Sequence, residues 1–271
     1  MPRRPSKPSP AEISGVAALL LAILLSLLSP ALALLPLALF LLSCLAAPFI
    51  AGYGFFLPVI SRGSPENNQV ALTFDDGPWP ASTPILLDLL ARHNLQATFF
   101  VVGLQAAKYP DLIAAILAQG HSIGNHSLQH DAFLMLRRTK TLQEDIHTTQ
   151  EILIKQGIRP LVFRPPSGIT SPRLKQVLAR EKLLAVNYSC RAMDGGNRNI
   201  NNLAGKILRR LQPGDIIMLH DLPPRPKTST SSWQRELDCL FAALQDNGRV
   251  VPLEKIIHHP VWRRCRDSGG L

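Results

Sequence analysis

Two adjacent carboxylates, Asp75 and Asp76, stand in the run Thr73-Phe74-Asp75-Asp76-Gly77-Pro78. Leaving an apolar segment side by side they repel each other, which demands a nearby cation or positive partner. A solvated corner is the other reading, since Asp-Asp-Gly-Pro is good turn chemistry. Further along, His126-Ser127-Leu128-Gln129-His130 places two imidazoles four apart. On one helical turn both would face the same way and reach one metal ion, and neutral imidazole suits zinc and its first-row neighbours. Such pairs also occur on exposed helices with no ligand. A carboxylate from another segment would complete a two-His, one-carboxylate set with positions open for water and substrate, and Asp76 is available for it.

These groups can act together only if the chain gathers them. From residue 70 onward, short apolar runs at 70–74, 97–102, 121–124, 161–164, 184–188, 215–219 and 249–253 alternate with helix-length amphipathic segments at 84–93, 111–119, 142–156, 172–182, 202–211 and 233–245. That alternation predicts a parallel α/β sheet or barrel, whose site lies at the C-terminal strand ends. Asp75 and Asp76, His126, Arg164, Asp194 and His220 all end or follow such runs. The sequence shows no internal repeat or low-complexity tract, and the Pro-rich stretch 222–227 reads as a loop.

The front of the 271-residue chain is of another kind: residues 13–60 contain no Asp, Glu, Lys, Arg or His. A membrane span needs about 20 apolar residues, so this segment has room for a helical hairpin broken near Ser29-Pro30. A cleaved signal peptide ending near Ala33 leaves 34–60 unexplained. The organisation expected is a basic tail over 1–12, membrane segments over 13–60, a linker over 61–69, a catalytic domain over 70–257 and a basic tail over 258–271. The net charge is +10, from 29 Lys and Arg against 19 Asp and Glu. It suits a membrane surface or an anionic polymer; no nucleic-acid-reading motif accompanies it. The four cysteines form no Cys-x-x-Cys pair, and no Gly-x-Ser-x-Gly elbow, phosphate loop or dinucleotide fingerprint is present.

Three blocks taken together, Thr73–Pro78, His126–His130 and Phe163-Arg164-Pro165-Pro166-Ser167-Gly168, resemble the first three motifs of the polysaccharide deacetylases, the NodB-homology domain of carbohydrate esterase family 4. The resemblance runs from about residue 70 to about residue 251. It implies a distorted barrel of seven β/α units, a single divalent metal that is usually zinc, and hydrolysis of an N-acetyl group from an amino sugar. By the same resemblance Asp75 is the general base, Asp76, His126 and His130 are the metal ligands, and Arg164 pairs with Asp75. A backbone N–H near Ser167 would help stabilise the oxyanion; the family often has Tyr there, and a backbone donor survives the change.

The last two motifs are less regular. Tyr188–Gly195 occupies the place of the family's Asp-x-x-Asp-Trp, with Arg191 at the first Asp and Gly195 at the Trp, while Asp194 is kept. Ile216–His220 resembles the final motif, making His220 the general acid for the departing amine and Asp194 its orienting partner. Trp79 and Trp233 can stack on a sugar or pack in the core. The expected protein is a membrane-anchored, metal-dependent deacetylase of an envelope polysaccharide or peptidoglycan. The alternatives are an enzyme that deacylates or deformylates a lipid-linked amino sugar at the membrane surface, and a degenerate glycan-binding domain. Arg3, Arg4 and Lys7 favour a cytoplasmic N-terminus, and a full hairpin would return the catalytic domain to that side. The family resemblance favours an extracytoplasmic domain, and that is the expectation.

Overall fold

The computed structural model describes residues 8–50, 52–65, 68–224 and 229–265. Arg3, Arg4 and Lys7 therefore lie outside the described residues, as do Arg266 and part of the Pro-rich stretch. The apolar front forms two helices, α1 (Pro10–Ser26) and α2 (Pro30–Ala46), the second extended by a 3-10 turn, Ala47–Phe49. A capping box starts α1: the Glu12 N–H donates to Ser9 Oγ at 3.2 Å, and the Ser9 N–H donates to the Glu12 carboxylate at 2.5 Å. The helices lie antiparallel, because a Cβ on Gly15 would stand 3.0 Å from the Phe40 ring. Leu20, Leu24, Leu35 and Leu41 are each more than half exposed, a surface that water does not tolerate over such an area. Among the described residues one helix, 30–49, is long and apolar enough to cross a membrane, with 20 residues and a mean hydropathy of 2.3.

The helical part ends at Phe49, short of the boundary at residue 60 expected from composition. Pro48, Gly52, Gly54 and Pro58 stop it, and Val59–Ile60 form a strand, β1, in the main sheet. Both feet of the hairpin rest on the domain. The Ala11 N–H donates to the Phe55 carbonyl at 3.0 Å. Phe55, Phe56 and Leu57 are buried in a cluster with Leu174, Val177 and Leu178. Lys175 Nζ reaches Glu12 at 2.9 Å.

The strands that follow are β2 (Ala71–Asp75), β3 (Ala97–Val101), β4 (Ser122–Asn125), β5 (Ile158–Pro160), β6 (Val162–Phe163), β7 (Leu184–Val186), β8 (Cys190–Arg191), β9 (Ile216–His220) and β10 (Trp262–Arg264). The helices are α3 (Thr83–Arg92), α4 (Gly103–Lys108), α5 (Pro110–Ala118), α6 (Thr139–Lys155), α7 (Pro172–Glu181), α8 (Leu203–Leu208), α9 (Thr230–Asp246) and α10 (Leu253–Ile257). Eight strands form one curled, wholly parallel sheet in the order β1-β7-β6-β4-β3-β2-β9-β8, an incomplete barrel edged by β1 and β8. Strands β2 and β3 are buried along their whole length, as a parallel sheet covered on both faces requires.

Six of the seven predicted strands are present. The seventh, 249–253, makes only the single bridge Val70↔Val250, because Pro252 has no N–H to donate and α10 begins immediately after it. Two-residue strands β1 and β8 supply the edges instead. The expected tail 258–271 is partly structured: β10 pairs antiparallel with β5, and Trp262 packs against the core. Trp233 is fully buried in α9, which makes it a core residue and not a sugar platform.

Candidate active site

Strand β2 delivers the carboxylate pair. Asp75 and Arg164 are both buried, and the guanidinium donates to Asp75 Oδ1 at 2.6 Å. Arg164 also donates to Thr73 Oγ1 (2.8 Å), the Val186 carbonyl (3.2 Å) and the Asn187 carbonyl (3.0 Å), and lies 3.9 Å over the Phe100 ring. A buried cation is tolerable only when paired and fully hydrogen-bonded. Here β2, β7 and the loop after β7 each supply an acceptor, so one side chain, carried just past the end of β6, ties those segments together under the site.

Asp76 has φ 77°, which turns it off the line of the strand. The two imidazoles come from a loop after β4, not from the helical turn expected from their spacing. Ser127 (φ 70°) and His130 (φ 55°) are left-handed, which breaks any helix at that point. The loop is held from below: Asn125 Oδ1 accepts from the Ser127 N–H (2.9 Å), Asp145 Oδ1 from the Leu128 N–H (2.8 Å), and Ser127 Oγ from the His130 N–H (3.1 Å). His126 Nδ1 donates to the Arg164 carbonyl at 2.8 Å, leaving Nε2 to face Asp76. Asp76 Oδ1 lies 3.4 Å from His126 Nε2 and 3.1 Å from His130 Nε2.

That oxygen is buried and has no hydrogen-bond donor, and the three ligand atoms fall within 4.8 Å of one another. An orphaned carboxylate oxygen facing two imidazole nitrogens is the donor set of a small divalent cation. Electrostatics agree. Burial alone would raise Asp76, but the neighbouring imidazoles, His126 first and then His130, hold it down at about 2. His130 is lowered, chiefly by burial, so it offers a lone pair. His126 feels burial pushing its pKa down and the carboxylates of Asp75 and Asp76 raising it by more; the proton it would hold there is the charge a cation replaces.

The opposite wall comes from β9 and the loop after β8. Asp75 and His220 are register partners on adjacent strands. His220 Nδ1 lies 2.9 Å from Asp194 Oδ2, which also accepts the Asn197 N–H at 3.1 Å. Burial works against a charged imidazole, yet Asp194, with smaller help from Asp76 and Asp75, raises His220 to about 9. Asp194 is itself lowered; burial is the largest single influence and opposes ionisation, but the hydrogen bond and charge of His220 together with the Asn197 N–H outweigh it.

Trp79 Nε1 donates to the Asp76 carbonyl at 3.1 Å, fixing a half-buried ring on the rim. Ser167, exposed and left-handed at φ 57°, tops the 3-10 turn Pro166–Gly168. Asp75, Asp76, Trp79, His126, His130, Ser167, Asp194 and His220 line one cleft of about 550 Å³; Arg164 lies beneath it.

Asp221 was not anticipated. It is fully buried, accepts from Ser82 Oγ and Thr83 Oγ1 at 2.6 Å each, and donates its N–H to the Asp75 carbonyl at 2.8 Å. Burial pushes it up to about 7 despite those hydroxyls. Its carboxylate fills the space over Gly77, where a Cβ would lie 2.1 Å from Oδ2. An acidic residue directly after the strand-ending His220 was the available signal.

A curled parallel sheet whose strand ends bring a salt-bridged carboxylate, an Asp-His-His cluster and a carboxylate-held histidine to one cleft is the framework of a hydrolase. The chain belongs to the polysaccharide deacetylase family, hydrolases acting on amide C–N bonds. The family model, Polysaccharide deacetylase, matches residues 62–186. A chitooligosaccharide deacetylase of Sinorhizobium fredii is 33% identical over 205 residues, covering 72% of this chain and 94% of the relative. A peptidoglycan-N-acetylglucosamine deacetylase of Bacillus cereus is 32% identical over 160 residues, covering 58% and 75%. The crystal structure of the Bc1960 peptidoglycan N-acetylglucosamine deacetylase, in complex with an N-hydroxybenzamide compound, superposes with a TM-score of 0.68 at 31% identity, over 75% of this chain and 94% of that one.

Proposed function

We propose that the protein removes the N-acetyl group from an amino sugar of an envelope glycan, using a divalent ion, zinc by its donor set, held by Asp76, His126 and His130. The observation that carries this reading is the pairing of two opposed devices across one cleft: Asp75 locked to Arg164, and His220 locked to Asp194. A site that only bound glycan would need neither. When bound, the ion supplies Lewis acidity toward the amide carbonyl and lowers the pKa of a coordinated water to about 7.

Asp75 accepts the proton of the attacking water, and Arg164 keeps its carboxylate aimed into the cleft. A C–O bond forms at the carbonyl carbon, and the backbone N–H at Ser167 donates to the developing oxyanion. The C–N bond then breaks as His220, held protonated by Asp194, delivers a proton to the leaving nitrogen. Acetate and a free amino sugar result. Trp79 walls the sugar. The metal-loaded protein is expected to release acetate from N-acetylglucosamine substrates, and His126→Ala or His130→Ala to lose the ion while keeping the fold. Unchanged metal content in both variants would overturn the ligand assignment.

The exposed leucines of α1 and α2 support a membrane anchor. Because both feet of the hairpin sit on the domain, the N-terminus and the catalytic domain share one face of the bilayer. We take that face as the outer one, where envelope glycans lie.

A further inference from the structure

The catalytic cleft continues beyond Ser167. Ser167, Tyr188 and Arg191 line both the cleft and a second groove of about 320 Å³, which runs on to Ser61, Gly52 and Phe49 at the foot of α2. The route is short because β1 pairs with β7, Val59 with Ala185 and Ile60 with Val186, and the chain leaving β7 is the cleft wall. At its far end the groove meets open apolar surface: Phe49 is 75% exposed and Ile50 55%.

Between cleft and foot stands a cation. The Arg191 guanidinium lies 5.5 Å from the Tyr188 ring and donates to its hydroxyl at 3.1 Å. Among the described residues no carboxylate pairs with it, and it is exposed. The Ser61 and Ser167 hydroxyls line the same groove, while Ser189 Oγ is committed to Asp215 at 2.6 Å. A guanidinium with spare donors and neighbouring hydroxyls is suited to a phosphate. A neutral sugar polymer carries no anion to match that cation and no hydrocarbon chain to cover Phe49.

We infer that the substrate is an amino sugar carried on a lipid through a phosphate or diphosphate. The sugar occupies the cleft, the phosphate meets Arg191, and the hydrocarbon chain passes Phe49 into the bilayer beside α2. The inference rests on the deacetylase reading and narrows its substrate. The docked anchor supports it, since the hydrogen bond and ion pair at the hairpin's feet hold the groove at the membrane surface and not at the end of a flexible tether.

The test uses the full zinc-loaded chain in lipid nanodiscs with three substrates: N-acetylglucosamine on a polyprenyl diphosphate, water-soluble N-acetylglucosamine 1-phosphate, and chitotetraose. The lipid-linked sugar is expected to exceed each of the others in kcat/KM by about tenfold or more, and Arg191→Ala to cut that preference by about tenfold, with Arg191→Lys restoring part of it. Binding of the lipid-linked sugar to Asp75→Asn nanodiscs, read by native mass spectrometry, should weaken when Arg191→Ala is added. Equal or better turnover of chitotetraose overturns the inference and leaves the deacetylase reading standing. Equal turnover of the soluble phosphate removes the lipid, and an unchanged preference in Arg191→Ala removes the phosphate site. Acetate from none of the three overturns the deacetylase reading itself.

Discussion

Replacing Asp194 by Asn keeps the shape of the side chain and an oxygen for the Asn197 N–H, but takes away the charge that holds a proton on His220. The structure sets the size of the effect. His220 is raised from 6.5 to about 9 against a burial cost that pushes the other way. Of the carboxylates responsible, Asp75 is already paired with Arg164, and a cation on Asp76 offsets that one, so Asp194 is the group left holding the proton. Without it His220 should return to about 6.5 or below, moving the alkaline limb of activity down by up to about 2.5 pH units. At about pH 8.5 the protonated fraction then falls from as much as roughly three-quarters to roughly one in a hundred, a loss of up to about 75-fold, while at about pH 6 the variant keeps roughly three-quarters of its acid. The assay is kcat/KM for acetate release between about pH 5.5 and 9.5 on enzyme of verified metal content. A profile unchanged in shape, or one lowered equally at every pH, would refute the assignment of His220 as the acid and Asp194 as its holder.

Asp75→Asn should lower turnover by about 10²–10⁴-fold with metal stoichiometry intact; a fall of less than about tenfold would mean that another group takes the proton. Gly77→Ala places a Cβ 2.1 Å from Asp221 Oδ2, which Ser82 and Thr83 pin in place, so urea denaturation should show a loss of more than about 2 kcal/mol. Wild-type stability there would contradict the packing of that turn. Reporter fusions at residue 1 and residue 271 should report the same compartment, because both feet of the hairpin rest on the domain. Signals on opposite sides sink the hairpin; cytoplasmic signals from both reject the outer-face placement alone.

The residues that meet in the cleft were legible where residue type and backbone need coincide. Asp75 and Asp76 announce themselves because a buried strand ending in two carboxylates has few bland explanations, and His220 because an imidazole closes an apolar run. The local conformation at His126 and His130 was misread: a spacing of four is helical only if nothing between intervenes, and the left-handed Ser127 is fixed by Asn125, a residue whose amide says nothing about its partner until the loop is folded. Asp221, Asp145 and Asn125 escaped notice for one reason. They touch backbone and hydroxyls contributed by distant parts of the chain, and no periodicity records such contacts. Strands β1 and β8 are too short to carry an alternation, and their place is set by pairing with β7 and β9.

The docking of the hairpin decides which pieces of this protein can be handled alone. Cutting the chain at Arg62 would remove more than an anchor. It would strip β1 from the sheet and leave β7 with an open edge, a template for pairing between molecules. It would also take away Phe55, Phe56 and Leu57 and bare Leu174, Val177 and Leu178 beneath them. An apolar scar beside a free sheet edge is a recipe for aggregation, so a soluble fragment should begin before Phe55 and trade the exposed leucines of α1 and α2 for polar residues.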